Sequence, residues 1–116
     1  MLISTYYAAV GDEITYRLCL LIGRFRLSVG EVAAALELPQ PRVSHKLAKL
    51  RRYGLVHCER EGRRAYYALC DPWRTLLLST DEQWRRLSRS YMRQWRSDQE
   101  RLGRALGKTL ATRELH

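Results

Sequence analysis

The side chains best suited to chemistry in this sequence are basic and amide groups concentrated in residues 40–64. Eight arginines and lysines stand there against two glutamates, so the segment carries +6 of the formal net charge of +9. Arginine and glutamine can each form two hydrogen bonds with a base edge in the major groove, and basic side chains contact phosphates. The segment therefore predicts a polyanionic partner, and its charge alone leaves DNA, RNA and a membrane surface open. The candidate DNA-contacting residues are Gln40, Arg42, Ser44, His45, Lys46, Lys49, Arg60, Arg63 and Arg64.

The first of the elements that must position these groups is a helix predicted from Arg42 to Tyr53. Val43, Leu47 and Leu50 form one narrow apolar stripe at steps of four and three residues, and the remaining positions are mostly polar or basic. A glycine follows at residue 54, where a left-handed residue ends many helices. Two β-prone runs, 55–60 and 65–70, are joined by residues 61–64 with a glycine among them, which predicts a hairpin.

Two further helices are predicted upstream of the basic helix. Asp12 can cap a helix that runs through Ile22 and ends at Gly23. Ser28 and Glu31 have the spacing of a capping box, which predicts the start of the next helix. The order of helix, helix, tight turn, basic helix and basic hairpin is that of a winged helix-turn-helix, a mainly α fold with a two-stranded β-hairpin wing.

The two ends of the sequence carry apolar stripes that suggest dimerisation. Residues 1–10 have the spacing of a short apolar helix, with Leu2 and Ile3 among its apolar positions. Residues 80–83 resemble a second capping box, which predicts one helix of about 45 Å from Asp81 to Leu110. We expect one domain over 1–116, with a DNA-binding core at 12–70 and dimerisation helices at 1–10 and 72–112. The candidate dimerisation residues are Tyr6, Tyr7, Trp84, Leu87, Tyr91, Trp95 and Leu102.

Residues 27–69 resemble the ArsR/SmtB family of metal- and stress-responsive repressors. The matching patterns are S-V-x-E at 28–31, Q-x-x-V-S from Gln40, and R-x-G-R-x-x-Y-Y-x-L from Arg60. The resemblance implies a homodimeric repressor that occupies an inverted-repeat operator at a promoter and is released by an inducer. The alternative from another class is a winged-helix module that binds an acidic protein or RNA without operator specificity.

The inducer-binding motifs of the family are missing from this sequence. Its arsenic and cadmium sensors carry C-x-C where Ser28 and Gly30 stand here. Its zinc and nickel sensors use histidines of the last helix, where this sequence has none before His116. We therefore expect no metal site and no cofactor, and the inducer stays unidentified.

The three cysteines are the candidates for thiol sensing. Cys19 lies in an apolar helix, where it is either a small core residue or a reactive thiol. Cys58 and Cys70 are second candidates, and strand alternation places them on opposite faces of the hairpin. An intra-hairpin pair is therefore not expected, while a ligand shared between subunits stays open.

Other classes of function find little support in the sequence. It has no supported nucleophile–base arrangement, no phosphate-binding glycine loop and no paired carboxylates in an apolar setting, so we expect no enzyme activity. Its apolar runs are too short to cross a bilayer, and the first ten residues lack the pattern of a secretory signal. We therefore expect a cytoplasmic location.

Overall fold

A computed structural model describes residues 3–116, so the prediction for Leu2 lies outside the described part. Seven helices and one two-stranded sheet follow one another along these residues. They are α1 Ile3–Val10, α2 Glu13–Arg24, α3 Val29–Leu36, α4 Gln40–Arg52, β1 Val56–Glu61, β2 Arg64–Leu69, α5 Trp73–Leu87, α6 Arg89–Leu106 and, after a 3-10 turn at Gly107–Thr109, α7 Leu110–Arg113. None of the helices within residues 3–116 is long and apolar enough to span a membrane.

Side-chain caps determine where the first helices begin, as the sequence predicts. The Asp12 carboxylate accepts a hydrogen bond from the Thr15 backbone N–H at 3.0 Å at the start of α2. At the start of α3, Glu31 N–H donates to Ser28 Oγ and Ser28 N–H donates to Glu31 Oε1, which completes the capping box. Helix α4 begins after Pro39 and is followed by Gly54 at φ +78°, in the left-handed region that glycine adopts without strain.

The predicted end of the second helix at Gly23 is wrong. Helix α2 continues to Arg24, and Gly23 is buried within it. A Cβ atom at this position would lie 3.6 Å from the side chains of Leu69 and Leu78, so β2 and α5 pack directly against this part of α2. Its carbonyl also accepts a hydrogen bond of 2.7 Å from Arg74 Nε, which ties α5 to α2.

The hairpin is tighter than the sequence suggested. Strands β1 and β2 pair antiparallel from Val56↔Leu69 to Glu61↔Arg64. Only two residues therefore connect the strands, in place of the expected four, and Gly62 at the tip has φ +62°. Positive φ at the tip matches the twist of a two-residue hairpin turn, because primed turns follow the twist of the strands.

A single apolar core joins the helix-turn-helix to the C-terminal helices. Its members include Leu18 of α2, Val32 of α3, Leu47 of α4, Leu77 of α5 and Leu102 of α6, each with at most 1 % of its surface exposed. Helix α6 packs mainly along α3, so the C-terminal segment covers the first helix of the helix-turn-helix.

The predicted single helix from Asp81 to Leu110 is also wrong. Two helices meet at Ser88, whose side chain accepts a hydrogen bond from Tyr91 N–H and so caps α6. The Thr80 hydroxyl donates to the carbonyl of Leu76, four residues earlier, as it does inside a helix. Asp81 is completely buried in the middle of α5. Its carboxylate accepts a hydrogen bond from the Arg24 side chain of α2.

Candidate nucleic-acid interface

Helix α4 presents one polar face to solvent because its apolar stripe is fully occupied. Val43, Leu47 and Leu50 are at most 2 % exposed and hold α4 against α3 and the start of β1. Of the predicted contact residues on this helix, those that lie exposed are Gln40, Arg42, Ser44, His45 and Lys49. The buried stripe therefore fixes which face of α4 can enter a groove.

The exposed groups at the start of α4 are available for an external partner. Among the described residues, no acidic side chain lies within 4.0 Å of Arg42 or Lys49. Gln40 lies against Gly30 of α3, where a Cβ atom would be 3.3 Å from Gln40 Nε2. A small residue at position 30 therefore leaves room for this amide, a role that the sequence did not reveal.

Lys46 differs from the other predicted contacts because it is engaged within the protein. Its Nζ atom lies 3.1 Å from Asp12 Oδ2 and 3.3 Å from Thr15 Oγ1, which ties α4 to the start of α2. The hydrogen bonds from the backbone and side chain of Thr15, followed by that from Lys46, lower the pKa of Asp12 to about 2. Sequence reasoning found Asp12 as a cap but missed its link to α4.

The wing presents a second group of arginines. Arg60, Arg63 and Arg64 are all exposed around the tip of the hairpin. The base of the wing, by contrast, is held by the rest of the protein: Tyr67 exchanges two backbone hydrogen bonds of 2.8 and 3.0 Å with Leu27.

Two arginines lie over the ring of Tyr66, in the middle of the hairpin. The guanidinium carbons of Arg26 and Arg113 lie 4.9 and 4.5 Å from its centre. Arg113 also pairs with Glu31 of the capping box at 2.7 Å. No local pattern predicts these contacts, since Arg113 is 47 positions beyond Tyr66 along the chain.

The comparisons with known proteins agree with this geometry. Residues 18–57 match the model of the family described as bacterial regulatory protein, arsR family. The crystal structure of the transcriptional regulator HlyU from Vibrio vulnificus is 32 % identical with a TM-score of 0.60, and the match covers 70 % of this chain and 86 % of that one. The chain belongs to the ArsR family.

Two further comparisons of this ArsR-family chain concern a curated relative and a solved structure. A transcriptional repressor SmtB homolog from Synechocystis is 37 % identical over 68 residues, which are 59 % of this chain and 52 % of that protein. The chain thus spans about half the length of the curated relatives that it matches. A homodimeric winged helix-turn-helix domain from Mycobacterium bovis shares the fold, with a TM-score of 0.62, 23 % identity and coverage of 67 % and 73 %. The family and fold are those of transcriptional regulators, which are not enzymes.

The cysteines of this ArsR-family chain lie in three different environments. Cys19 is completely buried in the core, and burial raises the pKa of its thiol to about 12. Cys58 is half-buried on β1, where it pairs with Tyr67 of β2. Cys70 is half-buried with its Sγ 3.5 Å from His57 Nδ1, and desolvation raises its pKa. Within residues 3–116, no three side chains of His, Cys, Asp or Glu gather as a metal site would require.

The predicted dimerisation residues divide into buried and exposed groups. Tyr6 is 2 % exposed and stacks on Trp73 within the same chain, and Leu102 is fully buried. Tyr91 and Trp95 are half-buried. The remaining three are exposed and, together with Ile3, make up what we call the exposed apolar face: Ile3 and Tyr7 lie one turn apart on α1, Trp84 and Leu87 one turn apart on α5, and Tyr7 and Trp84 line one cavity.

Proposed function

We propose that the protein is a transcriptional repressor that binds double-stranded DNA as a homodimer. The observation that carries this proposal is the exposed polar face of α4, where Arg42 and Lys49 have no acidic side chain within 4.0 Å among the described residues. The arginines of the wing extend the same basic surface. Membership of the ArsR family supports this role, and a protein with this role acts in the cytoplasm, where bacterial promoters are accessible.

The two ends of this surface have different proposed roles. Gln40 and Arg42 lie in the first turn of α4, the part of a recognition helix that reaches base edges. Their amide and guanidinium groups can pair with adenine and guanine. Arg63 and Arg64 at the wing tip, and Lys49 further along α4, contact phosphates in this proposal and carry no sequence preference.

A selection experiment tests base recognition. Duplex sites are selected from a random library, and affinities are measured by fluorescence anisotropy on a selected site and on random DNA. Arg42→Ala weakens binding to the selected site by about 1–3 kcal/mol and has little effect on random DNA. Arg63→Ala weakens binding to both DNAs similarly.

Arg93→Ala is the matched control for charge, because Arg93 is an exposed arginine on α6. If Arg93→Ala weakens binding as much as the wing variant does, the wing does not contact phosphate. Selection that yields no common duplex sequence would instead favour an RNA-binding or protein-binding module.

Salt dependence tests the phosphate contacts. A dimer that neutralises about eight phosphates gives a slope of log K against log salt near −7, which is about 10⁴ in affinity between 50 and 200 mM salt. A slope near zero would show that the basic surface does not lie on the DNA backbone.

The exposed apolar face supports assembly into a dimer. Its members Tyr7, Trp84 and Leu87 are 58, 49 and 78 % exposed, and a soluble monomer rarely leaves such large side chains uncovered in one patch. Two copies would place two α4 helices on an inverted repeat with half-sites about 34–36 Å apart. The protomer is 37 × 31 × 28 Å across, so two copies side by side are of the same scale as this spacing.

Leu87→Asp tests the dimer with little risk to the protomer, because that side chain is mostly in solvent. We expect a monomer by sedimentation, an unchanged circular dichroism spectrum and a large loss of affinity for the selected site. Trp95 is a poorer choice, since it packs against Arg24 and Arg85 inside the protomer. A Leu87→Asp protein that stays dimeric and binds normally would exclude this face as the dimer interface.

A further inference from the structure

A cavity of about 560 Å³ lies between α2 and the junction of α5 and α6. Its size is in the range of small-molecule sites in proteins. Aromatic rings supply much of its wall, and the lining residues that matter for recognition are Glu13, Tyr16, Trp84, Tyr91 and Trp95. Neither α4 nor the wing contributes to it, and of the exposed apolar face it shares Trp84 alone, so the proposed DNA contacts and dimer interface leave most of this cavity unexplained.

A chain of hydroxyl groups gives the wall a defined polarity. The Tyr91 hydroxyl donates to the buried carboxylate of Asp81 at 2.6 Å. Because that proton is committed, the Tyr91 oxygen accepts from the Tyr16 hydroxyl, 2.9 Å away. Burial and the hydrogen bond to Asp81 raise the pKa of Tyr91, so the hydroxyl keeps its proton. The Tyr16 hydroxyl thus donates its only hydrogen bond to Tyr91, and its oxygen can still accept a hydrogen bond from a ligand.

The charges lining the cavity leave one carboxylate uncompensated. Arg17 donates two hydrogen bonds of 3.0 and 2.8 Å to Asp98, which also pairs with Arg101, and Arg101 pairs in turn with Glu37, so this group of four charges is neutral. Glu13 at the rim is exposed and has no ion-pair partner among the described residues. The cavity therefore offers aromatic faces together with a hydrogen-bond acceptor and a negative charge.

We propose that this cavity binds a small planar aromatic amine. The ring system stacks among Tyr16, Trp84 and Tyr91, and the amine donates to the Tyr16 oxygen and to the Glu13 carboxylate. Aromatic rings attract organic cations through their π faces, which adds to the effect of the carboxylate. An aromatic acid would bring a second negative charge beside Glu13 and lose these contacts.

Three indoles that share one ring system and differ in charge test this proposal. Tryptamine, indole and indole-3-acetate are titrated into the DNA-free protein by calorimetry. We expect saturable binding of tryptamine at one site per protomer, with indole weaker and indole-3-acetate at least tenfold weaker than tryptamine. Equal affinities for the three, or no binding of tryptamine, would overturn the proposal. Because DNA is absent, either result leaves the proposed repressor function standing.

Variants locate the binding to this cavity. Glu13→Gln and Tyr16→Phe each weaken tryptamine about five- to tenfold and leave indole unchanged, whereas Trp84→Leu weakens both. Glu100→Gln is the matched control, an exposed carboxylate on α6 whose loss has no effect. A Glu100→Gln effect as large as that of Glu13→Gln would overturn the proposal. Tryptamine binding by the Leu87→Asp monomer but not by the parent would also overturn it, since the cavity would then be part of the dimer interface.

Discussion

Replacing Asp81 by alanine is expected to destabilise this protein far more than its place in a polar sequence segment suggests. The carboxylate is completely buried and accepts hydrogen bonds from Arg24 Nη2 at 2.9 Å, Arg85 Nε at 3.2 Å and the Tyr91 hydroxyl at 2.6 Å. These donors belong to α2, α5 and α6, so one side chain connects three helices. Removal of the carboxylate leaves two arginines and a phenol without their acceptor.

The size of the effect follows from these three hydrogen bonds. Hydrogen bonds to charged groups contribute about 1.5–3 kcal/mol each. The side chains of Arg24 and Arg85 are 29 and 24 % exposed and can recover some hydration, so the lower value applies to each. With about 1 kcal/mol for Tyr91, the loss is about 4 kcal/mol, as for other broken buried ion pairs. This corresponds to about 15 °C in Tm for a chain of this length.

Urea unfolding at one fixed protein concentration, followed by tryptophan fluorescence, measures the loss. Glu82→Ala is the matched control, because the neighbouring carboxylate pairs with Arg86 in solvent and contributes less than about 0.5 kcal/mol. If Asp81→Ala costs less than about 1 kcal/mol, like the control, then Asp81 does not connect the helices. That result would instead favour the arrangement predicted from the sequence, in which Asp81 lies in the first turn of one long helix.

Three further predictions concern backbone conformation, acid stability and thiol reactivity. By urea unfolding, Gly54→Ala lowers stability by about 1 kcal/mol because of its positive φ, whereas Gly103→Ala, in mid-helix with open space around it, raises stability by about 0.5–1 kcal/mol. Because the pKa of Asp12 is lowered to about 2, its contribution is present above about pH 4 and is lost as the pH falls through 2. Asp12→Asn keeps the cap but does not titrate, so circular dichroism between pH 4 and 2 should show a shallower loss of stability than in the parent. Maleimide at neutral pH should label the two hairpin cysteines but not Cys19 in the folded protein, and mass spectrometry showing rapid labelling of Cys19 would contradict its burial.

The elements that the sequence predicted correctly are those determined by near neighbours. The side chains of Asp12 and Ser28 accept hydrogen bonds from backbone N–H groups three residues away. Gly54, with its positive φ, directly follows the helix that it ends. The stripe on α4 likewise repeats every three or four residues. Such signals are readable because the partner lies in the same short window of sequence.

The elements that were missed are determined by residues far apart in the chain. The pattern at residues 80–83 is the same whether a helix begins there or passes through, and the deciding contact is with Arg24, 57 positions away. Similarly, Lys46 lies off the apolar stripe, where the sequence predicts a DNA contact, and its ion pair with Asp12, 34 positions distant, has no local signal. The exposed side of the basic helix was thus predictable, while the internal use of one of its lysines was not.

The contacts of Tyr66 with Arg26 and Arg113 have a consequence for motion. These contacts and the backbone pairing of Leu27 with Tyr67 hold the hairpin on the core from its base to its middle, whereas the tip is held by the solvent-exposed ion pair of Arg26 with Glu61. Amide hydrogens at the base should therefore exchange slowly with solvent and those at the tip quickly. We therefore expect the wing to bend instead of pivoting, so that in the proposed DNA complex its terminal arginines would move over a short distance while α4 stays in place.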